Sequence, residues 1–400
     1  MRKILFLGGA PHQTNAIDIA REQGLYTICC DNNPDNPGHK LAHESKIIST
    51  VDAENILEYA SNKELDAIMT YGSDVSLPTL GNVCELLKLR GPSIDQAKIL
   101  SNKNKFRHLL KSNGLENIKY IKLTSDNKLN QYELEKKIND ASLQFPLILK
   151  PADRSGGLGI SISNDLKQLH SDINISLKLS LSSEVIVEEY IESKNYQICG
   201  DGFMKNGKVV FLGIGNNFFN ELSFGPFAEV FPNIIPVDTD KIKKKIEDIF
   251  VATNYASGPF NFDIIEKKNG EYVVLELTPR LGGNFLSEAI ARAYNINLIH
   301  ENISFALGDN FLNNLHDIKV SKYFYNLMLH SKNPEAKKIF GKTDFMNAEP
   351  LLFNLYDNLK FSFQNNSKIS NFVGNCVFKF DNVKEVEEFT LHLKNNDFIM

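Results

Sequence analysis

Phe145-Pro-Leu-Ile-Leu-Lys-Pro-Ala-Asp-Arg-Ser-Gly-Gly-Leu-Gly-Ile160 is the stretch that decides the fold. Its apolar first half predicts a buried strand ending at Lys150, and Ser155–Gly159 follows as a glycine-rich loop. Glycines let successive backbone N–H groups converge on an anion, and the lysine adds a positive charge. A lysine at a strand end can also simply extend its ammonium group to solvent. Strand, lysine and loop together favour a phosphate site.

A second stretch places two acids and an arginine close together. Residues 260–266 and 272–277 predict a hairpin through Lys-Lys-Asn-Gly, in which Asp263 and Glu276 can face each other across the ladder. Facing carboxylates repel, and magnesium with its preference for oxygen ligands is the usual remedy. The alternative is a pair of solvated acids, which the apolar neighbours disfavour. Arg280 follows, either to clamp an anion or to form a structural ion pair.

Composition bounds the class of protein. The chain has 400 residues, enough for two or three domains, and a net charge of −5 with a pI near 6.0 argues against a nucleic-acid surface. Five scattered cysteines without a Cys-x-x-Cys pair indicate a reducing compartment. The apolar run at the N-terminus is too short for a leader, and no stretch approaches a membrane span. We expect a cytoplasmic protein that binds neither nucleic acid nor membrane.

The first 115 residues alternate between strands and helices. Strands at 3–7, 25–30, 47–49 and 67–70 predict a parallel, doubly wound, Rossmann-like sheet. Gly8-Gly9-Ala10 is not Gly-x-Gly-x-x-Gly, so a dinucleotide is not expected. Ligands gather at the carboxyl ends of parallel strands, where Asp31, Ser73 and Asp74 fall. Substrate contact and simple turn chemistry are about equally favoured for these three.

Beyond residue 115 the pattern becomes α+β with antiparallel hairpins, among them one through Asn206-Gly207. The fold class is therefore α/β and α+β, in several domains. We predict an N-terminal domain at 1–115, a central domain at 116–310 and a small C-terminal α+β region at 311–400. The central domain divides into a phosphate-loop subdomain at 116–190 and a metal-binding subdomain at 191–310.

The order of these parts resembles the ATP-grasp superfamily over roughly residues 1–310, in particular biotin carboxylase, the carbamoyl-phosphate synthetase large chain and glycinamide ribonucleotide synthetase. Asn102-Lys-x-x-Phe106 resembles the start of a helix whose lysine reaches phosphates, and Val187-Glu-Glu-Tyr-Ile191 resembles the hinge that holds adenine. The resemblance implies a Rossmann-like pre-ATP-grasp domain before the ATP-grasp domain. It implies nucleotide contacts at Lys103, Lys150, Ser155, Gly156, Gly157, Gly159, Glu188, Glu189, Tyr190 and Ile191.

The resemblance also implies metal, catalytic and substrate positions. Asp263 and Glu276 are the implied magnesium ligands. Thr278 stands where the family's Glu-x-Asn-Pro-Arg has an asparagine amide, so the number of metal ions, one or two, stays open. Lys150 and Arg280 take the catalytic roles. The substrate positions implied or favoured are Arg280, Gly282, Gly283, Asn284, Asp31, Ser73 and Asp74. Ser193-Lys-Asn-Tyr-Gln197 lacks the acid that many relatives carry there, which leaves the ribose contact open.

The implied function is an ATP-dependent carboxylate–amine ligase that forms an amide through an acylphosphate and releases ADP and phosphate. Its cofactors would be ATP and Mg²⁺, with Mn²⁺ as an alternative metal, and its partners small carboxylates and amines. A bicarbonate-activating carboxylase of the biotin carboxylase type and a non-catalytic ATP sensor are the alternatives. The acid, the amine, the oligomeric state (a homodimer included) and the role of residues 311–400 stay open.

Overall fold

Three sheets organise the computed structural model of the protein, which describes residues 1–125, 130–219, 224–313, 320–331, 348, 350–355 and 371–395. The N-terminal elements are β1 (Lys3–Leu7), α1 (Thr14–Glu22), β2 (Tyr26–Asp31), α2 (Gly38–Leu41), β3 (Glu44–Ile47), α3 (Ala53–Ser61), β4 (Ala67–Thr70), α4 (Leu77–Leu87), α5 (Ile94–Leu100) and α6 (Lys103–Ser112). The four strands pair in parallel in the order β3-β2-β1-β4. This confirms the predicted Rossmann-like sheet.

One strand of this sheet lies earlier than its sequence pattern indicated. The predicted strand at 47–49 is found at Glu44–Ile47, whose side chains are mostly exposed. As an edge strand it has one neighbour, β2, so its polar sequence carries no apolar alternation to locate it. Helix α3, which sequence analysis left out, is capped by the Asp52 carboxylate, which accepts from Asn55 N.

The second sheet carries the glycine-rich loop. Its elements are β5 (Tyr120–Thr124), α7 (Gln131–Asp140), β6 (Leu147–Pro151), β7 (Ser161–Ser163), α8 (Leu166–Leu179) and β8 (Glu184–Glu189), and the strand order is β5-β8-β6-β7. All three pairings are antiparallel. The loop joins β6 to β7, and β8 leads straight into the predicted hinge. Both nucleotide motifs are therefore attached to neighbouring strands.

The third sheet has eight strands. Its region contains β9 (Gln197–Lys205), β10 (Lys208–Phe218), β11 (Ala228–Phe231), α9 (Thr239–Ala252), β12 (Gly258–Glu266), β13 (Tyr272–Thr278), α10 (Leu286–Tyr294), α11 (Leu298–Ala306), β14 (Tyr323–Ser331), β15 (Leu352–Leu355), β16 (Asn371–Phe380) and α12 (Val383–Asn395). The order is β13-β12-β9-β10-β11-β14-β16-β15. The described strands of the predicted C-terminal region thus extend the central sheet, and the domain boundaries remain predictions.

The N-terminal sheet is packed directly against the third sheet. One continuous core contains Ile4 and Met69 of the parallel sheet together with Phe203, Ile290 and Ile303 from β9, α10 and α11. Burial of such side chains contributes about 1.5–3 kcal/mol each, so this interface is firm. It holds the carboxyl ends of the parallel strands beside the exit of β13. Within the described residues, no helix is both long and apolar enough to cross a membrane.

Candidate active site

A cavity of about 950 Å³ lies where the two antiparallel sheets and the N-terminal domain meet. Most of the site residues that were predicted from the sequence line this cavity: Asp74, Lys150, Ser155, Gly156, Gly157, Glu188, Glu189, Tyr190, Ile191, Asp263, Glu276, Arg280, Gly283 and Asn284. The structure places the others around the cavity without lining it: Asp31, Ser73, Lys103, Gly159, Thr278 and Gly282. The tertiary fold thus gathers motifs that lie more than two hundred residues apart.

One end of the cavity is an apolar slot. Ile148 of β6, Ile265 of β12 and Leu275 of β13 line it together with Tyr190 and Ile191, which follow β8. Apolar walls beside free backbone groups suit a flat heterocycle, because stacking area and a few directed hydrogen bonds can then act together. The hinge residues were predicted from the sequence, but these apolar walls were not, because an apolar residue in a strand gives no signal that separates a cavity wall from the core.

Lys150 is held by a buried network of charges. Its Nζ lies 2.7 Å from Glu188 Oε2, and the other oxygen of Glu188 accepts from Arg107 Nε. All three side chains are almost completely buried. Burial alone would raise the pKa of the Glu188 carboxyl, but Arg107 and Lys150 outweigh burial and lower that pKa to about 2. Glu188 therefore orients the lysine, and its contact with the nucleotide stays a prediction.

Arg107 ties this network to the third sheet. Its Nη1 donates to Val274 O at 2.7 Å, on β13, while Nε bonds to Glu188 on β8. Sequence analysis missed Arg107. A signal was present, because Asn104, Arg107 and Leu110 repeat at three-residue spacing on the buried side of α6. A charged residue on an apolar helix stripe predicts a buried partner.

The glycine-rich loop has the backbone shape that its composition demands. Gly156 and Gly157 have φ of +65° and +74°, a region that side chains with a Cβ rarely adopt. A Cβ on Gly157 would lie 2.7 Å from Gly225 N, so only glycine fits against the opposite loop. Ser155 and these two glycines line the cavity on the side of Lys150. Their N–H groups are available for phosphate oxygens.

Asp263 and Glu276 are direct partners in the β12–β13 ladder, which confirms the predicted pairing. Asp263 Oδ1 accepts from Gln197 Nε2 at 2.7 Å and from Asn217 Nδ2 at 3.1 Å. Burial, followed by the repulsion from Glu276, raises the pKa of Asp263 to about 7. A carboxylate in that setting is short of positive charge.

The oxygen donors around this pair fit a hard cation such as magnesium. The buried oxygens that have no hydrogen-bond partner among the described residues include Oγ1 of Thr278, two residues from Glu276, and Oδ1 of Asn217, whose amide nitrogen bonds to Asp263. The described part of the chain contains no group of three or more His, Cys, Asp or Glu side chains that could hold a metal ion by itself. Two carboxylates would therefore need phosphate or other oxygens to complete a metal shell. The number of metal ions stays a prediction.

Lys103, at the start of α6, forms an ion pair with Glu276, one of the two predicted metal ligands. Its Nζ lies 2.8 Å from Glu276 Oε1 and donates to Arg154 O at 2.7 Å. Burial acts to lower the pKa of Lys103, yet Glu276 outweighs burial and the pKa is raised. The Glu276 pKa is lowered, since Lys103 counters the effect of burial on that carboxyl. Lys103 thus links the start of α6 to β13 just behind the cavity wall.

Arg280 is bound to the N-terminal domain. Its Nε and Nη2 lie 2.7 Å and 2.5 Å from Asp74 Oδ1, and its Nη1 donates to Leu281 O. Gly72 N donates to Leu281 O at 3.2 Å, which brings the two segments into backbone contact. Two of the predicted substrate residues, Asp74 and Arg280, therefore form one ion pair on the cavity wall. The pair holds the Arg280 guanidinium at the cavity wall.

Asp31 and Ser73 take part in local turn structure. Asp31 accepts from Gly9 N and Asn33 N, both at 2.8 Å, and Ser73 Oγ lies 2.8 Å from Ser76 Oγ. Neither side chain lines the cavity, so their substrate role remains only a prediction. Sequence analysis did not find Gln197, Asn217 and Glu229, which do line it. These three lie on strands whose partners only the folded sheet reveals.

Part of the sequence is similar to ligases of known function. The family model described as "D-ala D-ala ligase C-terminus" matches residues 109–221. Alanine–anticapsin ligase of Bacillus amyloliquefaciens is 23% identical over 272 residues, which cover 61% of this chain and 54% of that protein. This chain therefore spans about half the length of that relative.

Solved structures match over nearly the whole chain. An L-amino acid ligase from Bacillus licheniformis has a TM-score of 0.77 at 17% identity, covering 99% of this chain and 97% of that one. N5-carboxyaminoimidazole synthetase from Staphylococcus aureus, complexed with ADP, has a TM-score of 0.76 at 18% identity, covering 98% and 96%. The chain has the multidomain fold of these ligases, and the likenesses agree with the ATP-grasp resemblance of its motifs.

Replacing Glu188 by glutamine should destabilise the folded protein by about 3–5 kcal/mol, because Lys150 would remain buried without its counter-charge and Arg107 would keep only the longer 3.7 Å ion pair with Glu116 among the described residues. Urea unfolding at pH 7 measures this free energy. Glu189→Gln is the matched control, since Glu189 is only half-buried. An equal loss in the control would show that Glu188 holds no special position.

The same network predicts a pH dependence. The pKa of Glu188 in the folded protein, about 2, lies below its unfolded value of roughly 4.3, so its contribution to stability is present above the unfolded value. That contribution should disappear as the pH falls from about 4 to 2, and Glu188→Gln should flatten this part of the stability curve. Unfolding series between pH 2 and 7 test it. Parallel curves for both proteins would contradict the low pKa.

Residues 154–159 should exchange their amide hydrogens more slowly when ATP and Mg²⁺ are present, because phosphate oxygens would then accept from the loop N–H groups. Hydrogen exchange followed by mass spectrometry measures this protection. The Asn206-Gly207 turn, an exposed hairpin end without a place on the cavity wall, serves as an internal control. Equal exchange of the loop with and without nucleotide would count against a phosphate contact.

Proposed function

We propose that this protein is an ATP-dependent carboxylate–amine ligase that forms an amide through an acylphosphate. The observation that carries the proposal is the single cavity on which Lys150, the Ser155–Gly157 loop, the Asp263–Glu276 pair and Arg280 meet. Each part serves phosphoryl transfer, and phosphoryl transfer depends mainly on positioning and charge. The likeness to amino acid and carboxyaminoimidazole ligases supports the class of reaction.

The roles of the residues follow from their places along the cavity. The apolar slot and the backbone after β8 would hold adenine, while Lys150 and the loop would hold phosphate oxygens. Magnesium, held by Asp263 and Glu276, would neutralise charge between phosphates. Arg280, fixed by Asp74, would orient the carboxylate substrate and stabilise charge that develops on it.

The reaction balances in two steps. A carboxylate oxygen of the acid attacks the γ-phosphorus of ATP, the bond from that phosphorus to the bridging oxygen breaks, and ADP leaves. The neutral amine then attacks the acyl carbon, phosphate leaves with the former carboxylate oxygen, and the amine nitrogen loses a proton. The acidic pair, the lysine and the arginine need only hold these groups in line, since oriented reactants lower the barrier by themselves.

Hydroxylamine should trap the acylphosphate. With a suitable acid, ATP and Mg²⁺, the protein should release ADP and yield a hydroxamate without the natural amine, because hydroxylamine attacks mixed anhydrides readily. Colorimetric hydroxamate assays and ADP assays measure the two products. ADP release that requires bicarbonate alone would favour the carboxylase alternative, and nucleotide binding without any product would favour a sensor. AMP and pyrophosphate in place of ADP would contradict the acylphosphate.

Replacing Glu276 by glutamine should lower kcat by about 100-fold or more, as removal of an electrostatic stabiliser commonly does. The substitution removes a metal ligand and the ion pair to Lys103 together, while the apolar slot remains for nucleotide. Steady-state ADP release and nucleotide titration measure the two effects. Glu271→Gln, in the exposed turn of the same hairpin, is the control. Near-normal turnover of Glu276→Gln would remove the metal assignment.

A further inference from the structure

A row of polar side chains crosses the cavity face of the eight-stranded sheet. It begins at the Asp263–Glu276 pair and continues through Gln197, Asn217 and Glu229 to Asn326, and we call it the polar row. Successive members are ladder partners or bond through their side chains: Gln197 faces Asn217, Asn217 faces Glu229, and Glu229 faces Asn326. The row thus leads from Asp263 on β12, at the proposed metal position, to Glu229 on β11, three strands and roughly 14 Å away along the sheet.

Glu229 is a buried acid that forms no ion pair with any residue in the described part of the chain. It is 3% exposed and lines the cavity, and among the described residues its carboxylate accepts one hydrogen bond, from Asn326 Nδ2 at 3.2 Å. Burial raises the pKa of Glu229 well above its usual range, and Asp263, Asp201 and Glu288 raise it further. Among the described residues, the charged side chains that shift the pKa of this carboxyl most are therefore other acids.

The side chain that holds Glu229 is itself fixed. Asn326 Nδ2 also donates to Asn284 O at 2.7 Å, and Asn326 Oδ1 accepts from Asn375 Nδ2 at 3.1 Å. These partners set the direction of the amide, so Asn326 cannot turn its oxygen toward the acid. The C-terminal strands β14 and β16 thereby hold Glu229 in place on the cavity wall.

Asn217 adds a second acceptor beside Glu229. Its Nδ2 is bound to Asp263, which turns its Oδ1 away from that acid, and this oxygen is buried without a partner among the described residues. Since Asn217 and Glu229 are direct ladder partners, their side chains stand roughly 5 Å apart at Cβ. A buried carboxylate and a buried amide oxygen, with no donor between them, form a receptor for a group that carries several N–H donors and a positive charge.

We propose that Glu229 and Asn217 bind the ammonium group of the carboxylate substrate, so that the acid activated by this protein is an amino acid. The inference rests on the proposed ligase function and names its substrate class. Along the cavity, the amino acid would point its carboxylate toward the metal acids and Arg280, and its ammonium group toward the far end of the polar row. Acids without an amino group would leave two buried acceptors unsatisfied, which is costly.

The test compares each amino acid with the same acid lacking its amino group, such as alanine with propionate and phenylalanine with 3-phenylpropionate. In the hydroxylamine reaction the wild-type protein should favour the amino acid of a pair by at least about 10-fold in kcat/KM. Glu229→Gln should raise KM for that amino acid about 10- to 100-fold, the range of a lost hydrogen bond to a charged group, and change kcat and nucleotide affinity little. The exposed Glu271→Gln is the control and should leave all these values unchanged.

The use of hydroxylamine separates this role from general-base catalysis on the natural amine. If Glu229 only took a proton from the amine, Glu229→Gln would leave hydroxamate formation intact and slow amide formation, and that result would overturn the proposal. Equal use of both members of each pair by the wild-type protein would overturn it as well, while leaving the ligase function standing.

Calorimetry keeps the two proposals distinguishable. The wild-type protein should bind amino acids in the presence of ATP and Mg²⁺. It should bind the matching acids at least 10-fold more weakly, and the Glu229→Gln variant should bind the amino acids at least 10-fold more weakly than the wild-type protein does. Binding of this kind without release of ADP would uphold the ammonium site and contradict the ligase. Absence of any difference between the paired acids, with both proteins folded by circular dichroism, would overturn the ammonium site.

Discussion

The buried charges of Arg107, Glu188 and Lys150 are the constraint on which the rest of the site depends. One oxygen of Glu188 bonds to Lys150 and the other to Arg107, and Arg107 also donates a hydrogen bond to the backbone of β13. The network therefore joins α6, the phosphate-loop sheet and the eight-stranded sheet at one point. A buried carboxylate without such partners would neutralise or move. With them it holds Lys150 at the cavity wall and ties the two antiparallel sheets to one another.

Charge is distributed unevenly along the cavity that this network frames. Lys150 lies on the cavity wall on the side of the glycine-rich loop, and Lys103 lies behind the wall, paired with Glu276. Acids lie along the sheet, from Glu276 and Asp263 to Glu229. Arg280, fixed by Asp74 of the N-terminal domain, stands between these regions. Such an arrangement suits a ligand that alternates between negative and positive groups, as a metal–nucleotide complex followed by an amino acid does.

Much of the fold could be predicted because its signals are local. Hydrophobic runs and turn residues located most strands, and Asn206-Gly207 marked its hairpin. The pairing of Asp263 with Glu276 followed from the length of one hairpin. The edge strand β3 was placed a few residues late because its polar side chains carry no pattern. Helix α8 and strand β11 were not predicted, and β11 joins partners distant in the chain.

The sequence by itself determined the parallel N-terminal sheet, the glycine-rich loop and the facing acids, because each depends on residues close together in the chain. Only the tertiary structure decided which charged and polar side chains contact one another. In the folded protein Glu188 forms ion pairs with Lys150 and Arg107, and Arg280 forms one with Asp74. Glu229 lies beside Asn217 in the ladder. These contacts arise from the order of strands in a sheet and from the packing of domains, and neither is written in the spacing of residues along the chain.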